Sequence, residues 1–431
     1  MKKFNNIFLK KKILIYGLGK SGFSSYKFLK DKAEIYLFDD SKKITSKLKQ
    51  KTINFKKIYK SNFDIIVISP GINVLKCKLS KFLKKNLSKI YTDLDIFYSF
   101  YKNKSITITG TNGKSTTCQL LYDVLKKQGF DVKLVGNIGN PILSTKNIRS
   151  KTIFVIEASS YQLDYSKLFN SKYAAILNIS PDHLERHKTI ENYVSAKFKL
   201  IKNQKKNSLA FINYRDKYIL QKIKKNICKS KIIKINTKLD SKFITSLNND
   251  YFLSASNIEN LSFVIEIIKK FKIKKRAIVD TVKKFKGLKY RQQIIFDNKN
   301  ISVINDSKST SYSSSIEMLK KSNNIYWLLG GIPKKGDKLN LPKNYYKNIK
   351  AFIFGKEFRK FSLDLNNKIE FKKFPSLKKA LNKVFKEIKK DNFNKKTILF
   401  SPSAASFDTF ENFEDRGSYF DKIVKKYLND K

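Results

Sequence analysis

Short, continuous runs of apolar residues recur along the chain and alternate with amphipathic stretches. Three such runs, "ILIYG", "EIYLFDD" and "FDIIVISPG", lie within residues 13–92, and a helix is predicted to start near Ser21, after the first of them. Strands that are buried on both faces of a parallel sheet read as continuous apolar runs, whereas half-exposed strands alternate. The pattern therefore predicts a doubly wound α/β unit in this part of the chain.

The same pattern continues through two further units. The second begins at "SITITG" and includes the strands "TIFVIEASS" and "YAAILNIS" and the helices "ENYVSAKFKLIKN" and "SNIENLSFVIEIIKKF". The third follows "FKGLKYRQQ" and includes the strands "ISVIND", "IYWLLGG", "KAFIFG" and "TILFSPS". A chain of 431 residues is too long for one core. We therefore predict three α/β domains in series, at residues 1–92, 93–288 and 289–431.

Basic residues outnumber acidic residues by 91 to 35, which gives a net charge of +56. Such a charge usually indicates nucleic acid or an anionic membrane as a partner. Because the lysines are spread over every segment, the sequence favours a solvated lysine-rich surface, with an anionic partner as the alternative. No apolar stretch reaches the roughly 20 residues that cross a bilayer, and Cys77, Cys118 and Cys228 have no metal-binding spacing. We expect a soluble cytoplasmic protein that neither inserts into a membrane nor binds nucleic acid.

The first apolar run ends in a glycine-rich loop. Gly17, Gly19 and Gly22 lie between a predicted strand and a predicted helix, and Asp39 ends the next strand. This is the context of the dinucleotide fingerprint, in which glycines let backbone N–H groups approach a pyrophosphate. Such loops also bind other nucleotides or only close a turn, and no hydride-transfer machinery follows. We interpret the segment as a loop for a nucleotide diphosphate of unspecified base.

A second glycine loop, "GTNGKSTT" at residues 110–117, also joins a strand to a helix. Gly110 and Gly113 free the backbone amides of Thr111 and Asn112 to point at phosphate oxygens. Lys114 supplies a positive charge, and the hydroxyl of Ser115 or Thr116 can reach Mg²⁺. The usual first glycine of a P-loop is Ile108 here, so a plain turn before a helix is the alternative.

Two further side chains lie where strands of the second unit end. Glu157 ends a buried strand, where a carboxylate is costly unless it binds a metal or a partner. His183, one of two histidines, follows another apolar strand, at the edge where α/β sheets bind ligands. Lys197 lies on a predicted helix and, from its pattern alone, reads as a solvated side chain.

Several ordered motifs together resemble the Mur ligases, the ATP-dependent amide ligases of peptidoglycan precursor assembly. The motifs are "GTNGKST", "EASSYQL", "SPDHLERH" and "NDSKSTS", and the likeness runs in order from Gly17 to Gly417. The ending "SPSAASFDTFENFEDRG" resembles the members that add D-glutamate. The resemblance implies an N-terminal Rossmann-like domain for a UDP-sugar, a central P-loop ATPase with a parallel-rich sheet, and a C-terminal Rossmann-like domain for the amino acid.

The resemblance also implies a reaction and its substrates. ATP would phosphorylate the L-alanine carboxylate of UDP-N-acetylmuramoyl-L-alanine, and the amine of D-glutamate would attack the acyl phosphate. The positions matched to the UDP-sugar are Gly17, Leu18, Gly19, Asp39, Asp40, Ser69, Asn137, Gln162 and His183. Those matched to ATP are residues 110–116 of the second loop with Asn257, Asn260, Arg291 and Asp306.

Two Mg²⁺ ions are implied in the same way. Ser115 and Glu157 resemble ligands of the first ion, and His183 resembles a ligand of the second. Lys197 matches a lysine that this family carbamylates, which would make it an anionic ligand of the second ion. Lys114, His183, Lys197 and Lys308 are the implied catalytic residues.

The implied D-glutamate site lies in the third unit. Its positions are Thr310, Lys334, Ser406, Phe407 and Phe413, with Lys308 near the transferred phosphate. Lys335 is the alternative to Lys334, and both phenylalanines could instead be core residues.

Two positions depart from the family pattern, because Tyr290 and Gln293 stand where His and Glu are usual. A monomer is expected. The rival functions are a sister ligase with another amino acid, a nucleic-acid-stimulated ATPase and an inactive scaffold.

Overall fold

The computed structural model describes residues 6–41, 52–334, 336–391 and 395–429, and its strands form three sheets. The chain divides into two compact units. Met1–Lys284 contains the first two sheets, and Phe285–Lys431 contains the third. The predicted α/β class is confirmed, whereas the boundaries at residues 92/93 and 288/289 stay predictions.

The first sheet has four parallel strands, as the apolar runs predict. They are β1 (Lys12–Tyr16), β2 (Glu34–Phe38), β3 (Ile65–Ile68) and β4 (Ile90–Tyr91), in the spatial order β2-β1-β3-β4. Its helices are α1 (Lys20–Leu29), α2 (Phe55–Lys60), α3 (Ser80–Lys85) and α4 (Asp93–Phe100), with a 3₁₀ turn at Leu87–Lys89. The glycine loop after β1 lies next to the loop after β3, because β1 and β3 are neighbours.

The second sheet has six parallel strands. They are β5 (Ser105–Thr109), β6 (Val132–Gly136), β7 (Ile153–Glu157), β8 (Tyr173–Ile176), β9 (Leu209–Asn213) and β10 (Lys231–Ile235), in the order β10-β9-β8-β5-β7-β6. Its helices are α5 (Lys114–Lys127), α6 (Ser160–Tyr165), α7 (Leu184–His187), α8 (Ile190–Lys202), α9 (Lys217–Lys224), α10 (Ser241–Ser246), α11 (Ala255–Ile268) and α12 (Lys275–Val282), with 3₁₀ turns at Ile142–Ser144, Asp250–Leu253 and Lys269–Phe271. The neighbouring strands β8, β5 and β7 end at one edge, where the second glycine loop begins.

The third sheet is parallel except for one edge strand. Its strands are β11 (Gln293–Asp297), β12 (Ile301–Asn305), β13 (Ile325–Gly330), β14 (Ile349–Phe354), β15 (Glu370–Phe374) and β16 (Lys396–Phe400), in the order β11-β12-β16-β13-β14-β15 with β11 antiparallel. Its helices are α13 (Tyr312–Lys321), α14 (Phe358–Leu365), α15 (Leu377–Ile388) and α16 (Phe413–Asn429), with a 3₁₀ turn at Lys343–Asn348. The adjacent ends of β12 and β16 bring the "DSKSTS" and "SPSAAS" loops together.

Helix α4 is attached to the second sheet through a fully buried carboxylate. Oδ1 of Asp95 accepts hydrogen bonds from Ser166 Oγ and from the backbone N–H groups of Lys167, Leu168 and Phe169, at 2.7–3.1 Å. Its Oδ2 accepts from the N–H of Thr92 at 3.0 Å, which caps the helix. A buried carboxylate is tolerated where its oxygens are hydrogen-bonded in this way. These bonds hold the start of the helix against the loop that follows α6.

Within the described ranges, the helices are all too short or too polar to cross a lipid bilayer.

Candidate active site

The loop between β5 and α5 folds as a phosphate-binding turn. Gly113 caps α5 with φ +81°, a conformation that L-residues with a Cβ rarely adopt. A Cβ at this position would lie 2.0 Å from Asn260 Oδ1. Both the backbone conformation and the lack of space for a side chain therefore favour glycine here. The N–H of Asn112 donates to Asn178 Oδ1 at 2.9 Å, which fixes the tip of the loop. The amides that open α5 thus form the anion-binding end of a fourteen-residue helix.

Lys114 lies within this loop. Its Nζ donates to the carbonyl oxygen of Gly110 at 3.0 Å and to that of Thr111 at 2.8 Å. The ammonium group is therefore held over the turn where a phosphate chain would lie.

Glu157 ends β7 beside the start of α5 and is 1% exposed. Its Oε2 accepts a hydrogen bond from Ser115 Oγ at 2.5 Å, and its Oε1 accepts one from Asn137 Nδ2 at 2.8 Å. A hydroxyl and a carboxylate oxygen therefore converge next to the phosphate loop, which are the oxygen donors that Mg²⁺ prefers. The structure thus brings together the two side chains predicted for the first ion. Asn137, predicted to contact the UDP-sugar, supports Glu157; its sugar contact stays a prediction.

Lys197 is not the solvated lysine that the helical pattern alone indicates, because it is 2% exposed. Its Nζ donates to the carbonyl oxygen of Gly110 at 2.8 Å, the same oxygen that Lys114 reaches. Burial lowers the pKa of Lys197 well below its usual value, and the charge of Lys114 lowers it further, against the opposing effects of Asp182 and Glu157. The two amines thus meet at one oxygen, and burial disfavours the charged form of Lys197.

His183 precedes α7 in the left-handed conformation, with φ 55°. Its Nδ1 is 2.8 Å from Tyr161 Oη, and its Nε2 is 3.5 Å from Asp182 Oδ2. His183 lies in the loop that follows β8, and the N–H of Ser180 in the same loop donates to Thr111 Oγ1 of the phosphate loop at 3.0 Å. Among the described residues, no three His, Cys, Asp or Glu side chains form a group that would hold a metal ion by themselves.

Three residues around this site were not predicted from the sequence. Tyr193 Oη is 3.1 Å from Thr111 Oγ1, and the Nζ of Lys197 lies 4.6 Å from the Tyr193 ring. The ring of His187 stacks on that of Tyr161, with centroids 5.6 Å apart. Tyr161 and His187 lie within the motifs "EASSYQL" and "SPDHLERH", but a tyrosine carries little signal in a chain with 13% aromatic residues.

His187 is expected to make the protein less stable as the pH falls from about 6.5 to about 4. Burial, above all, lowers the pKa of His187 from 6.5 to about 4. Between these values the unfolded chain binds a proton at this position and the folded chain does not, so the stability present at neutral pH is lost on acidification. The difference between the pKa of His187 in the unfolded chain and that in the folded chain corresponds to about 3 kcal/mol of unfolding free energy.

Chemical denaturation at several pH values would measure this effect against His187→Phe, which keeps the stacked ring. Carboxyl groups are common to both proteins and cancel in the difference. The variant should lose less stability than the wild type across this range; parallel curves would show that His187 does not titrate as described.

Six of the residues predicted for the UDP-sugar lie in or around the first glycine loop. Ser69 Oγ donates to the carbonyl oxygen of Gly17 at 2.6 Å, and Asp39 Oδ2 accepts from the N–H of Leu18 at 2.6 Å. Asp40 Oδ1 accepts from Tyr16 Oη at 2.6 Å, and Gly19 caps α1. These side chains therefore shape the loop itself, and their contact with a UDP-sugar stays a prediction.

Gln162, also predicted for the UDP-sugar, is buried between two helices. Its Nε2 donates to both carboxylate oxygens of Asp93 at 3.2 Å, and its Oε1 accepts from the N–H of Ser159 at 3.1 Å. Burial raises the pKa of Asp93. The amide thus joins α4 to α6, and its role towards the sugar stays a prediction.

The asparagines predicted for ATP lie on α11, which packs against α5. Asn260 Oδ1 accepts from Thr117 Oγ1 at 3.3 Å and adjoins Gly113. Asn257 Nδ2 donates to the carbonyl oxygen of Tyr251, whose hydroxyl is 3.4 Å from Thr116 Oγ1. The structure thus brings both asparagines to the end of α5 that carries the phosphate loop.

Tyr290 and Gln293, the two departures from the family pattern, hold the same tight turn together. The N–H of Tyr290, which has φ 62°, donates to Gln293 Oε1 at 3.0 Å. The ring of Tyr290 lies against Gly417, where a Cβ would be 2.4 Å from the ring.

Arg291 follows within this turn, and Asp306 Oδ1 accepts from the N–H of Gln292 at 3.0 Å. Burial raises the pKa of Asp306 to about 7. The predicted ATP contacts of Arg291 and Asp306 stay predictions.

The residues predicted for D-glutamate lie in the loops that follow β12, β13 and β16 and at the start of α16. Lys308 Nζ lies 3.9 Å from the centre of the Phe413 ring, a cation–π contact. Phe407 is 72% exposed and is therefore not a core aromatic. Lys334 and Thr310 are partly buried and Ser406 is buried, whereas Lys335 lies outside the described residues. Contact of these residues with D-glutamate stays a prediction.

Arg416 is a further residue that the sequence did not indicate. It is fully buried, and its Nη2 donates to the carbonyl oxygens of Ser307 and Ala404, at 2.7 and 3.0 Å. Burial lowers the pKa of Arg416 to about 10. The guanidinium thus joins the two loops.

Comparison with known proteins agrees with this arrangement. The family described as Mur ligase middle domain matches residues 108–277. The UDP-N-acetylmuramoylalanine–D-glutamate ligase of Rickettsia felis is 34% identical over 99% of this chain and 99% of its own, and that of Rickettsia prowazekii is 35% identical over 98% and 99%. The structure of UDP-N-acetylmuramate-alanine ligase from Thermotoga maritima shares the fold, with a TM-score of 0.55 and 16% identity over 98% of this chain and 100% of that chain.

Fold and site together define an ATP-dependent ligase of the α/β class. The chain belongs to the Mur ligase family. Within that family, the relatives that match it over nearly their whole length carry the name of the D-glutamate ligase.

Proposed function

We propose that the protein is an ATP-dependent amide ligase that adds D-glutamate to UDP-N-acetylmuramoyl-L-alanine in peptidoglycan precursor synthesis. The observation that carries this proposal is the full-length similarity to D-glutamate ligases, together with a phosphate loop whose Lys114, Ser115 and Glu157 are in place. The protein is proposed to act in the cytoplasm, as a monomer and without nucleic acid.

The chemistry of the site fits such a reaction. A carboxylate is a poor electrophile, and its phosphorylation by ATP creates a leaving group that the amine of D-glutamate can displace. The amide bond forms, phosphate leaves with the bonding electrons, and the amine loses a proton. The reacting carboxylate and the γ-phosphate are both anions, so Lys114 would lower the repulsion between them.

Magnesium fits the oxygen pair of Ser115 and Glu157, where it would neutralise phosphate charge. We propose a second ion near His183, with Lys197 as a ligand after carbamylation. A lysine with a lowered pKa has the neutral amine that attacks CO₂, and the resulting carbamate would place a negative charge beside Lys114 instead of a second positive one.

Release of phosphate from ATP tests the proposal directly. The purified protein should release phosphate with Mg²⁺, UDP-N-acetylmuramoyl-L-alanine and D-glutamate, and form the matching amide. L-Glutamate, the mirror-image control, should give little release. Release with a different amino acid would retain the ligase mechanism and refute the proposed acceptor. No release with any acceptor, while ATP still binds, would refute the proposal.

A further inference from the structure

A chain of buried hydroxyl groups leads away from Asp306 in the third unit. The members Ser309, Ser315, Ser401 and Ser403 are each at most 2% exposed. Ser401 Oγ is 2.8 Å from Asp306 Oδ2 and 2.7 Å from Ser315 Oγ. Ser315 Oγ is in turn 2.7 Å from Ser309 Oγ and 2.6 Å from Ser403 Oγ. We call these four serines the serine cluster.

Hydrogen-bond counting shows that Ser315 is fully engaged. A serine hydroxyl has one proton to donate and two lone pairs to accept with, so it can make three hydrogen bonds. Ser401 Oγ is oriented to donate to Asp306 Oδ2 and to Ser315 Oγ, so these two acceptors compete for its one proton. Ser315 Oγ has two further hydroxyl partners, Ser309 and Ser403. Its full capacity is spent within the cluster, and it is the member to which the other three serines bond.

The cluster joins two loops and a helix. Asp306 and Ser309 belong to the loop after β12, Ser401 and Ser403 to the loop after β16, and Ser315 to α13. The first loop carries Lys308 and Thr310 on either side of Ser309. The second carries Ser406 and Phe407 shortly after Ser403. The residues proposed to receive D-glutamate thus flank the members of the cluster in both loops.

The backbone of Ser403, a member of the cluster, has an unusual conformation. Its φ is +56°, in the left-handed region that a serine seldom adopts. The conformation directs its hydroxyl at Ser315. On the other side of the loop Arg416 bonds the carbonyl oxygen of the next residue, Ala404. The loop after β16 is therefore held by Ser315 at Ser403 and by Arg416 at the next residue, Ala404.

We propose that Ser315 is a positioning residue for the amino-acid substrate, because its hydroxyl fixes the two loops that carry the acceptor site. This inference rests on the proposed function. Ser315→Ala removes a hydrogen-bond partner from three buried hydroxyls, so both loops lose their attachment to Ser315, while Arg416 and the Ser401–Asp306 bond still join them. The KM for D-glutamate should rise about tenfold or more, because small displacements of binding groups are costly. The KM for UDP-N-acetylmuramoyl-L-alanine, none of whose predicted contacts lie in these two loops, should change less than about twofold.

Steady-state kinetics of Ser315→Ala, Ser403→Ala and Ser322→Ala test the inference. Ser403→Ala removes one arm of the cluster and leaves Ser315 bonded to Ser309, so a smaller rise in the same KM is expected. Ser322, at the far end of α13, is the matched control and should behave as the wild type. Equal changes in the KM values for D-glutamate and for UDP-N-acetylmuramoyl-L-alanine, or a fall in kcat alone, would overturn the inference.

Amide hydrogen exchange gives a readout that needs no turnover. In Ser315→Ala, segments 306–311 and 401–407 should exchange faster than in the wild type, while β13 and β14 stay protected. Unchanged exchange in both segments would overturn the inference even if the variant is less stable. A wild type that is inactive with D-glutamate would instead overturn the proposed function, and exchange alone would then decide whether the cluster holds the loops.

Discussion

Lys114→Ala is expected to reduce turnover at least about a thousandfold, the range in which charged groups contribute to phosphoryl transfer. The Nζ of Lys114 lies over the phosphate loop, hydrogen-bonded to the carbonyl oxygens of Gly110 and Thr111. When phosphate is transferred to a carboxylate, negative charge develops between two anions, and the alanine variant has no cation there to stabilise it. The two described hydrogen bonds of this side chain go to carbonyl oxygens of the phosphate loop itself, and we expect the fold to be retained.

Initial rates of phosphate release at saturating substrates measure the effect. Lys126→Ala is the matched control, since Lys126 lies exposed in the last turn of the same helix. The control should retain wild-type turnover, and far-ultraviolet circular dichroism should show the same helix content in both variants. Near-normal turnover of Lys114→Ala would mean that another group neutralises the transferred phosphate.

Lys197→Ala is the second variant with a large expected effect, a loss of activity of about a hundredfold or more. If Lys197 acts as a carbamate, a short carboxylate such as acetate or propionate should partly restore activity, because it replaces the missing anionic oxygens in the cavity left by the side chain. If Lys197 acts as a buried ammonium, a short alkylamine should restore activity and a carboxylate should not. The two rescue agents thus separate two opposite charges at one position.

The rescue series requires ionic-strength controls, because salt alone weakens interactions on a surface as basic as this one. Sodium chloride at matched concentration should not rescue the variant. Lys202→Ala, an exposed lysine at the end of the same helix, should neither lose activity nor respond to either agent. Rescue by the amine alone would refute carbamylation.

The buried strands were predictable because they are continuous apolar runs. β1, β7, β13 and β16 each begin within one residue of the predicted runs and end one to three residues before them. Several edge strands were not recognised, although β2 was. In β6, "VKLVG", and in β10, "KIIKI", lysine interrupts the apolar residues, because one side of an edge strand faces solvent. The strand β11, "QIIFD", the antiparallel edge of the third sheet, was not predicted either.

The candidate site was predictable where a local motif carries the chemistry. Gly113, Lys114 and Glu157 come together because each follows or ends a neighbouring parallel strand, which the apolar pattern and the motif together indicate. Burial of a charged residue was not predictable in the same way. Asp95 and Arg416 are buried because of partners about 70 and 110 residues away along the chain, and nothing near them in sequence marks those partners.

Asp93 and Asp95 also determine where this polypeptide can be divided into pieces. The two residues lie in the first turn of α4, which directly follows the last strand of the first sheet. Their hydrogen-bond partners Gln162, Ser166 and Leu168 lie in and after α6, in the part of the chain that forms the second sheet. A fragment that ends after this helix would carry two carboxylates without these three donors, and the remainder would keep donors with no acceptor. A fragment that ends before Thr92 keeps these bonds, and the bond from the Thr92 N–H to Asp95, in one piece. The short segment at 93–100 therefore belongs, in its bonding, to the sequence that follows it.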